Sequence, residues 1–221
     1  MKNIISSVLI ASSVILSGGV QAASIDDFDG AGTLIVEADG SQNAAYSNAI
    51  GGSRTVSISK TGALGASAGV VVPPGIFTHS ADVLTSATSV ITWDANGAGL
   101  GGIDINEGRA FSVFSFEVIS IDQGNVDFTF TVEDTLGAIA SATLSGIGIG
   151  LQSIAFSEFS GIDFTSVNSI ALTIVGGEAS DLVLDNLKTV PTPATMILIL
   201  IGLAVFSTRN KQNEIIVPAL S

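Results

Sequence analysis

The chain lacks the side chains from which most metal and nucleophilic sites are built. Its 221 residues contain no cysteine and one histidine, His79. Disulfide bonds, thiol nucleophiles and zinc sites made of Cys and His ligands are therefore excluded. A Ser-His-Asp arrangement would have to use His79, but no G-x-S-x-G turn accompanies the many serines. We therefore expect His79 to be a surface residue.

Basic side chains are also scarce, so the charge is one-sided. Residues 23–188 contain four basic side chains against 19 acidic ones, a formal charge of −15. A field of that sign repels phosphate groups and anionic lipid headgroups. Nucleic acid is therefore disfavoured as a partner, and cations or neutral glycans are favoured. Hydrophobic residues make up 47% of the chain, which predicts a folded body.

The first 22 residues have the pattern of a secretory signal peptide. Lys2 supplies a positive charge, residues 4–16 form an apolar stretch, and Val20 and Ala22 provide small side chains before a cleavage point. Cleavage is expected between Ala22 and Ala23. The pattern predicts export, and the lack of cysteine means that the exported body must be stable without disulfides.

A second apolar segment, preceded by prolines and followed by basic residues, occupies residues 189–221. Pro191 and Pro193 interrupt any preceding strand, and residues 194–206 carry no charge. Such a run predicts a membrane helix, although it is shorter than the ~20 residues of a full span. Arg209 and Lys211 follow it and would stay in the cytoplasm, which places the body on the opposite side of the membrane.

This terminal segment resembles the PEP-CTERM sorting signal of Gram-negative bacteria. The resemblance rests on the box Val190, Pro191, Thr192, Pro193, Ala194 and Thr195, in which Thr192 stands where the motif has Glu. It implies transient anchoring in the inner membrane, processing by an exosortase, and a final place at the cell surface or in an extracellular polysaccharide matrix. An ordinary single-span anchor or a buried core helix are the alternatives.

The body between the two ends, residues 23–188, reads as one all-β domain. Large apolar residues alternate with polar ones along residues 126–133 and 114–118, as expected for strands with one buried face. The turn at 123–125 predicts that these two strands form a hairpin. A single helical turn is predicted at 160–164. Further strands are expected at residues 33–38, 54–60, 89–93, 139–144, 170–175 and 181–187.

Eight or nine such strands fit a two-sheet antiparallel β-sandwich, and we predict a jelly-roll-like arrangement. Residues 25–28 and 182–187 resemble the first and last strands of galactose-binding-like carbohydrate modules. That resemblance implies that the two terminal strands lie side by side.

Pairing of the terminal strands would collect enough carboxylates for a structural calcium ion, which takes 6–8 oxygen ligands. The alternative is that these acids only decorate turns and strand edges. No other cofactor is expected. The candidate ligands are Asp26, Asp27, Asp29, Asp181, Asp185 and Asn186.

Three further features bear on function. Gly97, Gly99 and Gly102 spell G-x-G-x-x-G, but no helix-forming segment follows, so a loop is predicted rather than a phosphate site. Glu117 and Glu133 would form a carboxylate pair for glycoside hydrolysis if their strands were neighbours.

Trp93 and Tyr46 are the only Trp and Tyr and the candidate glycan contacts, provided that they are exposed beside a groove. The interpretation that needs the fewest functional residues is a non-catalytic exported protein of the cell surface or the extracellular matrix. A carbohydrate-binding module is the first alternative and a glycoside hydrolase the second.

Overall fold

The computed structural model describes residues 22–29, 33–108, 111–122 and 126–191. Within these ranges the chain forms thirteen β-strands and two single-turn 3₁₀ helices. The strands are β1 Ala23–Asp26, β2 Leu34–Glu37, β3 Gly40–Ala45, β4 Ser53–Gly62, β5 Ala66–Val71, β6 Ile76–Ala81, β7 Thr85–Trp93, β8 Val113–Asp122, β9 Val126–Asp134, β10 Ile139–Leu144, β11 Gly150–Ala155, β12 Val167–Gly176 and β13 Asp181–Val190. The helices are Ile50–Gly52 and Phe156–Glu158.

The strands form two antiparallel sheets packed face to face. The seven-stranded sheet has the order β11-β8-β13-β6-β5-β2, with β1 also paired to β13, and the six-stranded sheet has the order β10-β9-β12-β7-β4-β3. Consecutive strands pair only in β3–β4, β5–β6 and β9–β10. Most other connections cross from one sheet to the other, which makes the fold a jelly-roll-like sandwich. The predicted all-β fold class is confirmed.

The core forms because alternate side chains of nearly every central strand point inward. Along β7 and β9, buried and partly exposed positions alternate from end to end. Aromatic rings from both sheets meet between them: Phe116 of β8 stacks on Phe128 of β9 with ring centroids 5.1 Å apart. Phe114 and Phe130 make a second stacked pair, also at 5.1 Å. Burial of such rings is a large favourable contribution to folding.

The predicted hairpin of residues 114–118 and 126–133 is wrong. β8 pairs with β11 and β13 in one sheet, and β9 pairs with β10 and β12 in the other. The two strands therefore face each other across the core through their phenylalanines. An alternating pattern predicts which face of a strand is buried. Two such strands bury that face equally well as neighbours in one sheet or opposite each other in two facing sheets.

The strands absent from the prediction are those made of small residues. β3 reads GSQNAA, β5 reads ASAGVV and β11 reads GLQSIA, with few of the β-branched or aromatic residues that mark a strand. β6 was also absent from the prediction. The helical turn predicted at 160–164 is displaced, because the 3₁₀ turn lies at Phe156–Glu158.

Candidate functional site

The chain enters and leaves the sandwich at the same end. β1 pairs antiparallel with β13, with Ala23 opposite Thr189 and Ser24 opposite Lys188. The side-by-side position of the first and last strands, implied by the resemblance to galactose-binding-like modules, is confirmed. Because the strands are antiparallel, the start of β1 lies beside the end of β13 at Val190. We call this the terminal end of the domain.

The predicted sorting segments flank the terminal end, and most of their residues lie outside the described ranges. Ala22, Ala23, Val190 and Pro191 are described. In residues 22–191, as far as they are described, no helix has the length and apolar character needed to cross a bilayer. Export, anchoring and processing therefore stay predictions. The candidate residues outside the described ranges are Thr192, Pro193, Ala194, Thr195, Arg209 and Lys211.

The prediction that six residues form one calcium site is wrong, because two of its acids lie elsewhere. Asp26 is fully buried, and its Oδ1 accepts a hydrogen bond from Arg54 Nη1 at 2.5 Å. Asp181 begins β13 at the opposite end from Val190, where it pairs with Ser80. No set of three or more Asp, Glu, His or Cys residues is arranged to hold a metal ion in the part of the chain that the structure describes.

The other acids of that set form a like-charged group near the middle of β13. Burial raises the pKa of Asp185, and the charges of Asp29, Glu117 and Asp27 add to that rise. The backbone N–H of Asn186 opposes it by donating to Asp185 Oδ1 at 2.7 Å. Asn186 also donates its side-chain amide to Asp185 Oδ2 at 2.8 Å. Asn186 thus donates hydrogen bonds to both oxygens of the Asp185 carboxylate.

Trp93 and Tyr46 are buried, so the prediction that they contact glycans on the surface is wrong. Trp93 has no exposed surface, and its Nε1–H donates to Asp26 Oδ2 at 2.8 Å. Tyr46 is 6% exposed and donates its hydroxyl to Asp27 Oδ1 at 2.7 Å. Burial and this acceptor raise the pKa of Tyr46 to about 12. Both polar tips are satisfied inside the protein, as buried Trp and Tyr require.

These residues surround a buried ion pair that ties β1 to the six-stranded sheet. Arg54 of β4 is 1% exposed, and its guanidinium lies over the Tyr46 ring, 4.6 Å from the centroid. Burial raises the pKa of Asp26, whereas Arg54, Trp93 and the Phe28 N–H oppose that rise by favouring the carboxylate. The ion pair is enclosed, since Asp26 and Trp93 have no exposed surface and Arg54 is 1% exposed.

Glu117 and Glu133 do not form a catalytic pair. Glu117 points outward from β8 in the seven-stranded sheet, and Glu133 points outward from β9 in the six-stranded sheet. The two sheets lie about 10 Å apart, and these side chains point away from each other on opposite faces. A hydrolase mechanism that uses this pair is ruled out.

His79 is buried, so its predicted surface position is wrong. It is 1% exposed on the inner face of β6, and its Nδ1 lies 2.6 Å from Ser89 Oγ of the facing sheet. Its Nε2 lies 3.4 Å from Ser180 Oγ. Burial lowers the pKa of His79 to about 4, and Asp181 opposes this only partly. Both serines are fully buried, so no substrate carbonyl reaches them in this conformation.

The glycine-rich segment after β7 is a loop, as predicted. Residues 94–102 form turns and bends, Ile103 makes an isolated bridge to Val167, and no helix directly follows this segment among the described residues. Asp104 closes the end of the loop by accepting hydrogen bonds from the N–H groups of Asn106 and Gly108. The helix N-terminus that a phosphate site requires is missing at this position.

The outer face of the six-stranded sheet is the feature that sequence reasoning missed. We call it the hydroxyl face, because Ser and Thr occupy most of its outward positions. The cross-strand register aligns Thr143, Thr129 and Thr173 in one row, and Ser141 with Thr131 in the next. Other outward hydroxyl residues are Ser41 of β3, Thr55, Ser57, Ser59 and Thr61 of β4, Ser86, Thr88 and Thr92 of β7, and Ser169 of β12. The alternation of hydroxyl residues at 55–61 was a readable signal.

Two concavities lie along the hydroxyl face. A cleft of about 460 Å³ opens at its β10 edge, between that strand and β11 of the other sheet. Ser141, Thr143, Ser153, Ile154 and Glu158 are among its lining residues. Thr129 and Thr131 hold two of these hydroxyls in place, through contacts of 2.8 Å to Thr143 and Ser141.

The second concavity is a depression of about 90 Å³ towards the other end of the sheet. Ser59, Thr61, Ser86 and Thr88 line it together with Lys60 and Val175. Side-chain hydroxyls therefore line both hollows, with one charged residue in each, Lys60 in the depression and Glu158 in the cleft.

No family model and no curated protein matches the chain. Its similarities are to solved structures, which include carbohydrate-binding modules. The family 11 carbohydrate-binding module from Clostridium thermocellum, in complex with a β-1,3-1,4-mixed-linked tetrasaccharide, is 14% identical with a TM-score of 0.40 and covers 77% of this chain and 96% of that one.

Two more solved structures are similar to the chain. TmCBM61 in complex with β-1,4-galactotriose is 8% identical with a TM-score of 0.39, and the match covers 77% of this chain and 95% of that one. An exo-β-agarase is 12% identical with a TM-score of 0.43, covering 78% of this chain and 25% of that one. The sandwich assignment rests on the strand pairings of this chain rather than on these likenesses.

Proposed function

We propose that this chain is a non-catalytic exported protein of the cell surface or the extracellular polysaccharide matrix, delivered through a PEP-CTERM-like signal. The observation that supports this proposal best is the pairing of Ala23 with Thr189. It brings Ala23, at which the predicted mature chain begins, beside Thr189, which directly precedes the predicted sorting box. A body held there by a membrane segment presents its remaining surface away from the bilayer.

The non-catalytic part of the proposal is supported by the positions of the residues considered for hydrolysis. Glu117 and Glu133 lie on opposite faces, and His79 is enclosed with its two serines. The charge agrees with an exported role at the surface, since a body of −15 stays soluble and is repelled by anionic lipids.

The experiment follows the chain through a cell that makes an exosortase. The full chain is expressed in that bacterium and in a matched strain without the enzyme, the cells are fractionated, and the C-terminus of the mature protein is determined by mass spectrometry. We expect loss of residues 1–22, an inner-membrane form that accumulates without the enzyme, and a released form shortened near the sorting box when the enzyme is present.

The matched variants separate the sorting box from the tail that follows it. Replacing both Pro191 and Pro193 with Ala is expected to abolish release, whereas Asn213→Ala is expected to leave it unchanged. A chain that keeps residues 1–22 in the cytoplasm, or a full-length inner-membrane form that is identical in both strains, would contradict the proposal.

Carbohydrate binding is the second candidate function, and the hydroxyl face favours it. A surface of aligned hydroxyl groups with almost no charge is suited to a ligand that both donates and accepts hydrogen bonds. This candidate is compatible with a matrix location and needs no catalytic residue.

A further inference from the structure

The hydroxyl face is almost free of charge although the body is strongly acidic. Its outward positions on the six strands carry two acids, Asp127 and Glu133, both on β9, and no Lys or Arg. A solvated surface normally mixes charges of both signs, whereas the centre of a binding surface is depleted of them. The depletion therefore distinguishes this face from the rest of a body of charge −15.

The composition of the face decides between classes of partner. Nucleic acid and anionic lipid require several cations, whereas among the described residues Lys60, beside the depression, is the one cation next to this face. Protein partners are usually anchored by Trp, Tyr, Arg or a hydrophobic cluster. The larger apolar side chains among these positions are Val90, Val175 and Ile139, which are separated by polar neighbours. An uncharged ligand rich in hydroxyl groups is the class that remains.

Hydroxyl groups suit such a ligand in number and in spacing. Each Ser or Thr hydroxyl donates one hydrogen bond and offers two lone pairs, which are the capacities of a sugar hydroxyl. Neighbouring strands lie about 4.8 Å apart, so the rows present hydroxyls at regular intervals. A polymer with a repeating unit can contact several of them together, which adds up many weak contacts.

The two concavities supply the shape that a flat surface lacks. Val175, which is 44% exposed, lines one side of the depression beside Thr88, and Ser59 lies across β7 from it. A sugar ring likewise combines an apolar C–H face with a polar edge of hydroxyl groups. At the other side of the sheet, the cleft of about 460 Å³ falls within the usual ligand-site range of roughly 300–1,000 Å³.

We infer that the hydroxyl face, from the depression beside Val175 to the cleft at β10, binds a neutral polysaccharide. The site is assembled from six strands and uses hydroxyl groups where many glycan sites use aromatic platforms. The inference deepens the carbohydrate-binding candidate of the proposed function. It is independent of export, because it is tested on purified protein.

The test measures retention of the full chain on insoluble polysaccharides. The protein is kept in a polyoxyethylene detergent, which carries no sugar, and is mixed with cellulose, agarose, starch granules and an insoluble β-1,3-glucan. Cross-linked alginate and chitosan serve as the anionic and cationic comparisons. We expect saturable retention on at least one neutral matrix at 0.15 M salt or above, and none on alginate.

The decisive variant removes three hydroxyls without changing charge or shape greatly. Thr88→Val, Thr92→Val and Thr173→Val are combined, since all three lie on central strands of the hydroxyl face. If each hydroxyl contributes about 0.5–1.5 kcal/mol of hydrogen bonding, the triple variant loses at least about tenfold in affinity. Circular dichroism checks that the sandwich still forms.

A matched control makes the same kind of change on the outer face of the seven-stranded sheet. Ser67→Ala, Thr78→Val and Ser80→Ala are combined there, at positions equally half-buried. The control is expected to bind like the wild type. The inference is overturned if no neutral matrix retains the protein, if only chitosan does, or if both triple variants bind equally. None of these results affects the localisation experiment, so the two proposals fail separately.

Discussion

Lowering the pH from 7.5 to 5.0 is expected to destabilise this protein through its single histidine. His79 is 1% exposed, and burial lowers its pKa from 6.5 to about 4. In the unfolded chain the same imidazole titrates near its ordinary value. Between pH 6.5 and 4 the unfolded chain therefore takes up a proton that the folded chain excludes. The free energy of unfolding falls as the pH falls through this window, and it levels off below the folded-state pKa.

The size of the effect follows from the two pKa values. One group changes stability by at most about 1.4 kcal/mol per pH unit, so the whole window is worth about 3 kcal/mol. At pH 5.0 the loss is already about 2 kcal/mol. Against a typical stability of roughly 5–15 kcal/mol, such a loss moves the denaturation midpoint clearly.

Folding also shifts the pKa of several carboxyl groups, so the assay needs a matched variant. Burial raises the pKa of Asp26 and Asp185, and for Asp134 three backbone N–H donors outweigh partial burial and lower it. His79→Asn keeps a polar atom near the position of Nδ1, within reach of Ser89, but does not titrate. The difference between the two proteins isolates the histidine.

Urea unfolding of the full chain, followed by the fluorescence of Trp93, reports directly on the core because this only tryptophan is fully buried. Between pH 7.5 and 5.0 the wild type is expected to lose about 2 kcal/mol more than His79→Asn. If the two proteins respond to pH within about 0.5 kcal/mol of each other, a margin close to ordinary measurement error, the reasoning is refuted.

Three further outcomes are expected. Arg54→Met leaves Asp26 buried without its partner and should lower the free energy of unfolding in urea by about 3–5 kcal/mol. Asp26→Leu combined with Arg54→Met should recover much of that loss. A single variant as stable as the wild type would contradict the buried ion pair. Gly176→Ala places a methyl group against His79 Nε2 and Ser180 Oγ and should cost about 1–3 kcal/mol. Gly148→Ala, which meets nothing within 4 Å, is its control, and equal midpoints would refute the clash. EDTA should leave the melting temperature unchanged, because Asp26 is enclosed in its ion pair with Arg54 and Asp181 lies at the start of β13, away from Asp27 and Asp29. A fall in melting temperature that calcium reverses would show a metal site.

Much of the fold was readable from local patterns. The prediction for 139–144 coincides with β10, and those for 54–60 and 89–93 fall inside β4 and β7. The burial of Trp93 was also readable, since it shares the inward face of β7 with Ile91. The sequence prediction treats Trp93 as a glycan contact, whereas the alternation along its strand indicates the buried position that the structure shows.

The site was harder to predict because its parts are distant in sequence. Thr143 and Thr173 meet only through Thr129, and each comes from a different strand. His79 carried no local signal of burial beyond its place between Thr78 and Ser80. The partner of Asp26 was equally hidden, because Arg54 is 28 residues away.

By itself the sequence determined an all-β body, its acidity, the lack of thiol and zinc chemistry, and two apolar ends with the pattern of export signals. These features follow from the composition and from the two-residue alternation of apolar and polar side chains, which can be read within each segment separately. Only the tertiary structure decided that β8 and β9 face each other, that Asp26 and His79 are enclosed, and that hydroxyls from six strands form one face. The physical reason is that alternation specifies which side of a strand is buried but leaves its neighbours open, and neighbours are chosen by packing of the whole core.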